Sequence, residues 1–229
     1  MGSVKTKLPP AATVFQNRIY VYFDDDNSER IGVARSLADG SWDTGTTNIG
    51  LLSLDGSLKL GFDGLSAEVF DGQVRVAYSS SETRSVRLPP RIRIASSSDG
   101  ILFDSNIGVS TGEAARKGTG PALATFDGQL HVAFSGRDTE RLAVTSTSDM
   151  RNFSKTYVLT PDGQAATDDQ PGMLSDGIRL IIVYKWNRSR DLYKTWRYSD
   201  SHPFGNDWKA IQRTEGESIA GPSLVQTTW

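Results

Sequence analysis

Residues 120–135 read Gly120-Pro121-Ala122-Leu123-Ala124-Thr125-Phe126-Asp127-Gly128-Gln129-Leu130-His131-Val132-Ala133-Phe134-Ser135, and this stretch decides the fold. Leu130, Val132 and Phe134 alternate with His131 and Ala133, the period-two pattern of a strand with one face in a core. Ala122-Leu123-Ala124-Thr125-Phe126 is a second short apolar run just ahead of it. Asp127-Gly128 between the two suits a tight turn whose central residues take positive φ. The stretch therefore predicts a β-hairpin opened by Gly-Pro.

The same phrase recurs on both sides. Arg18-Ile19-Tyr20-Val21-Tyr22-Phe23, Gln73-Val74-Arg75-Val76-Ala77-Tyr78 and Arg179-Leu180-Ile181-Ile182-Val183-Tyr184 repeat its spacing of two aliphatics and an aromatic. Each follows a short run closed by a turn: 11–15 before Gln16-Asn17, 66–70 before Asp71-Gly72, and 172–175 before Asp176-Gly177. Each also precedes a second strand, which begins at Arg30, Arg91, Arg141 or, in a degraded copy, Asp191, in steps of 61, 50 and 50. The long first step holds a six-residue Ser- and Arg-rich insertion ending in Pro89-Pro90, read as an exposed loop, and about five further residues near 55–64. A fifth opening run, Gly221-Pro222-Ser223-Leu224-Val225, stands near the C-terminus without partner strands.

A repeat of this length built from short strands is the signature of a β-propeller, each repeat forming one blade. The expectation is an all-β single domain over 1–229, with four complete four-stranded blades at about 9–55, 64–115, 119–165 and 170–217. An extra inner strand at 219–229 makes the ring four- or five-bladed. That strand either helps to close the ring or offers an edge through which copies of the chain could form a homo-oligomer. No stretch reads as a long helix, and 112–117 is the one ambiguous segment.

Composition narrows the function classes. Lys and Arg number 25 against 27 Asp and Glu, a net charge of -2 that offers no basic surface to nucleic acid. There is no cysteine, so disulfides, thiolate metal sites and a cysteine nucleophile are excluded. The longest apolar runs, such as Leu180-Ile181-Ile182-Val183-Tyr184, are too short to cross a bilayer. No secretion signal is visible, and the expectation is a soluble chain. Gly2 and Thr6 fit a loose myristoylation pattern that is also a common cloning start.

Each repeat carries a turn after its second strand, with a polar residue, an Asp and then an aromatic. The copies are Ser36 to Trp42 around Asp39, Ser97 to Phe103 around Asp99, Thr147 to Phe153 around Asp149, and Tyr198 to Phe204 around Asp200. Such an Asp can accept backbone N–H bonds across the turn while the aromatic covers apolar surface between blades. These turns resemble the Asp-box of sialidase-like propellers, and the phrase at 120–135 resembles blade repeats of that broad group, many of them sugar-binding. The resemblance runs from about residue 9 to the end, although Gly is shifted or absent in the copies and Phe often replaces Trp. It implies a propeller scaffold, and it implies no catalytic residue, because the box lies away from the central funnel.

Glycosidase chemistry is the enzymatic alternative, and it usually needs two carboxylates. The five inner-type strands at 11–15, 66–70, 122–126, 172–175 and 223–227 contain one, Glu68. A sialidase would further need three arginines and a Glu-activated Tyr, and Pro90-Arg91-Ile92-Arg93 lies at the wrong place in its blade for that role. His131 and His202 have no Ser or Asp partner that the sequence shows. A non-catalytic carbohydrate-binding propeller is therefore favoured, with sugars held by aromatic faces and polar side chains of blade loops.

The candidate residues are Trp186, Asn187 and Arg188 in a loop where core burial has no claim on the Trp, Arg137 and Asp138 in the equivalent loop of the preceding blade, and Trp42, Trp196 and Trp208. The remaining Trp is Trp229. No cofactor is expected. The acidic runs Asp24-Asp25-Asp26-Asn27 and Thr167-Asp168-Asp169 could supply oxygens to calcium but lack the spacing of a calcium loop. The expected partners are glycans, with no nucleic acid and no membrane span, and a protein-interaction scaffold is the third alternative.

Overall fold

The computed structural model describes residues 6, 8–25, 30–47, 60–82, 91–109, 115–137, 140–154, 156–157, 159–160, 163–186, 188–201 and 207–217. Among them every regular element is a strand, and no helix is long and apolar enough to cross a membrane. The chain divides into two compact units, Met1–Val109 and Ser110–Trp229.

In the first unit, β1 (Ala11–Phe15), β2 (Arg18–Asp25), β3 (Arg30–Ser36) and β4 (Trp42–Thr46) form one antiparallel meander. The second meander comprises β5 (Leu60–Phe70), β6 (Gln73–Glu82), β7 (Arg91–Ser97) and β8 (Ser105–Gly108). The other unit holds β9 (Ala122–Phe126), β10 (Gln129–Ser135), β11 (Leu142–Thr147) and β12 (Thr156–Tyr157), and a small hairpin of β13 (Leu159–Thr160) and β14 (Gly163–Gln164). Its last meander is β15 (Gly172–Ser175), β16 (Arg179–Lys185), β17 (Asp191–Tyr198) and β18 (Gln212–Glu217). Within each unit the first strands of the two sheets lie against one another, β1 with β5 and β9 with β15. Residues 83–90 and 219–229, which carry the expected exposed loop and the extra strand, lie outside the described residues.

Turn chemistry explains the hairpins. Asp71-Gly72 and Asp127-Gly128 take φ of 52° and 67°, and of 53° and 70°, while Gln16-Asn17 reaches 49° and 57°. These are the positive values that match the twist of the flanking strands. The fourth copy departs from the expectation: one more residue separates its strands, and the Asp176 carboxylate closes the longer loop by accepting the N–H groups of Ile178 and Arg179.

A second difference concerns the long repeat. Part of the extra sequence near 60–62 extends β5, with Leu60, Gly61 and Phe62 opposite Glu82, Ser81 and Ser80. The extension joins the rest of the strand through a β-bulge between Phe62 and Leu65.

Each unit has its own core between its two sheets. Tyr20, Tyr22, Ile31, Val33, Leu65, Val74, Val76, Tyr78 and Phe103 fill the first. Ala124, Phe126, Leu142, Met173, Leu180, Ile182, Tyr184 and Trp208 fill the second. Fully burying one such large side chain contributes about 1.5–3 kcal/mol, more than the roughly 1 kcal/mol of a neutral hydrogen bond, so alternation sets which strand face turns inward.

The Asp turns then join neighbouring sheets. The hydroxyl of Tyr22 donates to Gly100 O at 2.8 Å and that of Tyr20 to Asp99 O at 3.2 Å. In the second unit the Asp127 carboxylate accepts Ser199 Oγ at 3.0 Å and Asp200 N at 3.3 Å.

Candidate functional site

The best-built polar cluster lies where β15 begins and β16 ends, the same end of one antiparallel sheet. Thr167 is fully buried and donates its N–H to Glu140 O at 2.8 Å, while its carbonyl accepts Ser135 Oγ at 2.5 Å. That anchored backbone projects Asp168 and Asp169. Lys185, the last residue of β16, places Nζ 2.5 Å from Asp169 Oδ2 and 3.9 Å from Asp168 Oδ1. The chain then turns through Trp186 and Arg188, whose φ is 59°, and the Arg188 N–H donates to Asp168 Oδ2 at 3.3 Å. Gln170 Nε2 reaches Pro121 O at 3.1 Å, tying this segment to the start of β9. Asp168 Oδ1 is buried and accepts no hydrogen bond from the described residues. An orphaned acceptor of this kind costs about 1–3 kcal/mol unless a donor reaches it.

Two features that sequence treated separately, the Trp186 loop and the Thr167-Asp168-Asp169 run, thus meet at one end of the sheet. Trp186 itself corrects an expectation. Its ring lies 5.2 Å from that of Tyr193 and 6.2 Å from that of Tyr184, packed against the second core, so core burial does claim it. Lys185 and Trp186 are successive, and alternation sends the ammonium and the indole to opposite faces. Asp168 and Asp169 are engaged by that ammonium; among the described residues no group of three or more His, Asp or Glu is placed to hold a metal ion.

The other candidates scatter. Trp208 is 7% exposed and belongs to the core, so it offers no open face. Trp196 is half-buried on β17, with an indole N–H that has no acceptor among the described residues. Trp42 is 41% exposed on β4, where every residue is exposed, so it does not cover apolar surface between sheets as its turn position suggests. Phe103 does fill that role, 1% exposed and edge-on to Tyr22. Arg137 is exposed. Asn187, Asp138, His202, Asp26, Asn27 and Trp229 lie outside the described residues.

Sequence missed one carboxylate. Because β5 starts at Leu60, this innermost strand carries Asp63 as well as Glu68, so the inner strands do not hold Glu68 alone.

The turn carboxylates are structural. Asp99 Oδ1 accepts Ile101 N and Leu102 N, both at 2.8 Å, and these bonds outweigh burial to hold its pKa below the usual carboxylate range. Asp149 accepts Asn152 N and Arg151 N in the same way and is held lower by them. His131 is 2% exposed, with Nε2 3.2 Å from Phe126 O, and burial aided by the Arg197 charge lowers its pKa to about 4. That leaves it neutral and enclosed, unsuited to proton transfer with a ligand in solvent.

No family model matches the sequence, and no curated protein sequence matches it. Solved structures do. An exo-β-1,3-galactanase from Phanerochaete chrysosporium with galactose superimposes with a TM-score of 0.61 at 9% identity, covering 91% of this chain and 50% of that one. The GH43_1 enzyme from Xanthomonas citri complexed with xylose gives 0.60 at 13% identity, covering 96% and 79%. RS223 β-xylosidase gives 0.57 at 14% identity, covering 95% and 82%. The chain spans half the length of the galactanase. What these structures share with it is the fold, an all-β propeller of four or five blades in which the four meanders are blades.

Proposed function

We propose that this chain acts on carbohydrate, as a glycoside hydrolase like the enzymes whose fold it shares, and that Asp168, Asp169 and Lys185 hold the sugar. The observation that carries the proposal is the buried, unbonded Asp168 Oδ1 beside an ammonium at the start of an innermost strand. A sugar hydroxyl can donate to that oxygen while the ammonium donates to a neighbouring hydroxyl, a complementary pair of contacts for a polyol. The galactanase and xylosidase likenesses support sugar as the ligand class. The sialidase-type resemblance of the Asp turns adds a sialoside to the substrates worth assaying.

Non-catalytic binding is the second reading, and one observation favours it. In this unit β9 and β15 carry no carboxylate, so an acid–base pair here would fall to two adjacent residues sharing one ammonium. Release of nitrophenol from aryl β-xylosides, β-galactosides, α-arabinofuranosides and α-sialosides separates the two. Turnover that falls at least about 100-fold in Asp168→Asn and Asp169→Asn supports the hydrolase. Binding on a glycan array with no turnover supports the lectin, and neither result removes carbohydrate from consideration.

A further inference from the structure

The bulge in β5 presents a second set of unbonded polar atoms, in the other unit. Phe62 pairs with Ser80 and Leu65 with Tyr78, so Asp63 and Gly64 together stand opposite Ser79. Gly64 has φ of 153°, which a residue with a Cβ rarely adopts, so the two-to-one step depends on glycine. Asp63 Oδ2 is buried with no hydrogen-bond partner among the described residues. Ser79 is fully buried, and its Oγ also has none. Leaving a carboxylate oxygen and a hydroxyl desolvated at one step of a ladder is costly, and either would be relieved by a group that both donates and accepts. Bulges are over-represented at sheet edges and next to active sites, where they re-aim a side chain or end the pairing.

We propose that Asp63 and Ser79 form a subsite that takes a hydroxyl group of a neutral sugar, with Asp63 Oδ2 accepting and Ser79 Oγ donating or accepting. A hydroxyl fits both partners, whereas a lone cation satisfies the carboxylate but cannot accept from Ser79. The ligand class rests on the carbohydrate reading above, while the residues and the unit are separate from it.

Amide spectra of the ¹⁵N-labelled chain, titrated with xylose, galactose and calcium chloride in turn, test the subsite. The expected result is a shift of the Asp63, Gly64 and Ser79 amides with a sugar. Ser79→Ala should weaken that binding about fivefold while leaving Tm unchanged or raised, because it deletes an unsatisfied buried hydroxyl. A merely structural serine would lower Tm and leave affinity alone. Asp63→Asn should weaken binding about tenfold through loss of a charged acceptor. Shifts confined to 167–170 and 184–186 overturn this subsite and leave the proposed function standing. No response to either sugar overturns the subsite and leaves the proposed function to the nitrophenol assay, and a response to calcium alone overturns the subsite in favour of a cation.

Discussion

The ammonium of Lys185 stands 2.5 Å from Oδ2 of Asp169. The Lys side chain is 14% exposed and the Asp 27%, between the open surface, where an ion pair contributes little, and the interior, where an abandoned charge is costly. Lys185→Met leaves Asp168 and Asp169 adjacent with no counter-ion among the described residues, and is expected to destabilise the chain by about 1–2 kcal/mol. Urea unfolding at low and high salt checks this. The loss should shrink as salt screens the two carboxylates, and a salt-independent loss would point to packing instead.

Trp186→Ala should cost about 1–3 kcal/mol, because the indole touches Tyr184 and Tyr193 at the margin of a core. Trp42→Ala, at a 41% exposed position, should stay within about 0.5 kcal/mol. Thermal melts of the two variants settle the comparison, and equal losses would contradict the placement of Trp186.

Gly100 and Gly128 separate steric from backbone effects. Both have positive φ, 77° and 70°, so alanine is strained at either by about 1 kcal/mol. A Cβ on Gly100 would meet Tyr20 Cε1 at 2.6 Å, while one on Gly128 meets nothing within 4 Å. Gly100→Ala should therefore exceed Gly128→Ala by about 1–3 kcal/mol in chemical denaturation. A rise in the Gly100→Ala loss when Tyr20 is kept, and its relief in the Tyr20→Leu background, would identify the clash.

Acid should destabilise the fold through His131. Its native pKa is lowered to about 4 by burial and by Arg197, with Asp127 and Asp200 opposing, against about 6.5 in the unfolded chain. Between those values the unfolded chain binds the proton and the native one does not, so stability falls as pH drops from 6.5 toward 4. The full effect is on the order of 3 kcal/mol, and His131→Gln should flatten that part of the stability profile measured by urea titration.

Legibility in the sequence followed physical range. The strands, their order and two Asp-Gly hairpins depend on neighbours within a few residues, so the columns at 18, 73, 129 and 179 were enough to expect all-β blades. The bulge at Asp63 was less visible, because the β5–β6 pairing that extends the strand joins residues about twenty apart. Trp186 misled for a related reason: a loop position in the chain says nothing about whether its ring folds back onto Tyr193.

By itself, then, the sequence determined the repeat, the alternation of each strand and the exclusion of thiol chemistry, all properties of local pattern and composition. Only the tertiary structure decided which polar groups meet. Asp169 and Lys185 come together because β15 and β16 run antiparallel, and Asp63 is left opposite Ser79 because a bulge puts two residues against one. Charge pairing and burial depend on distances through space, which strand register sets and composition does not.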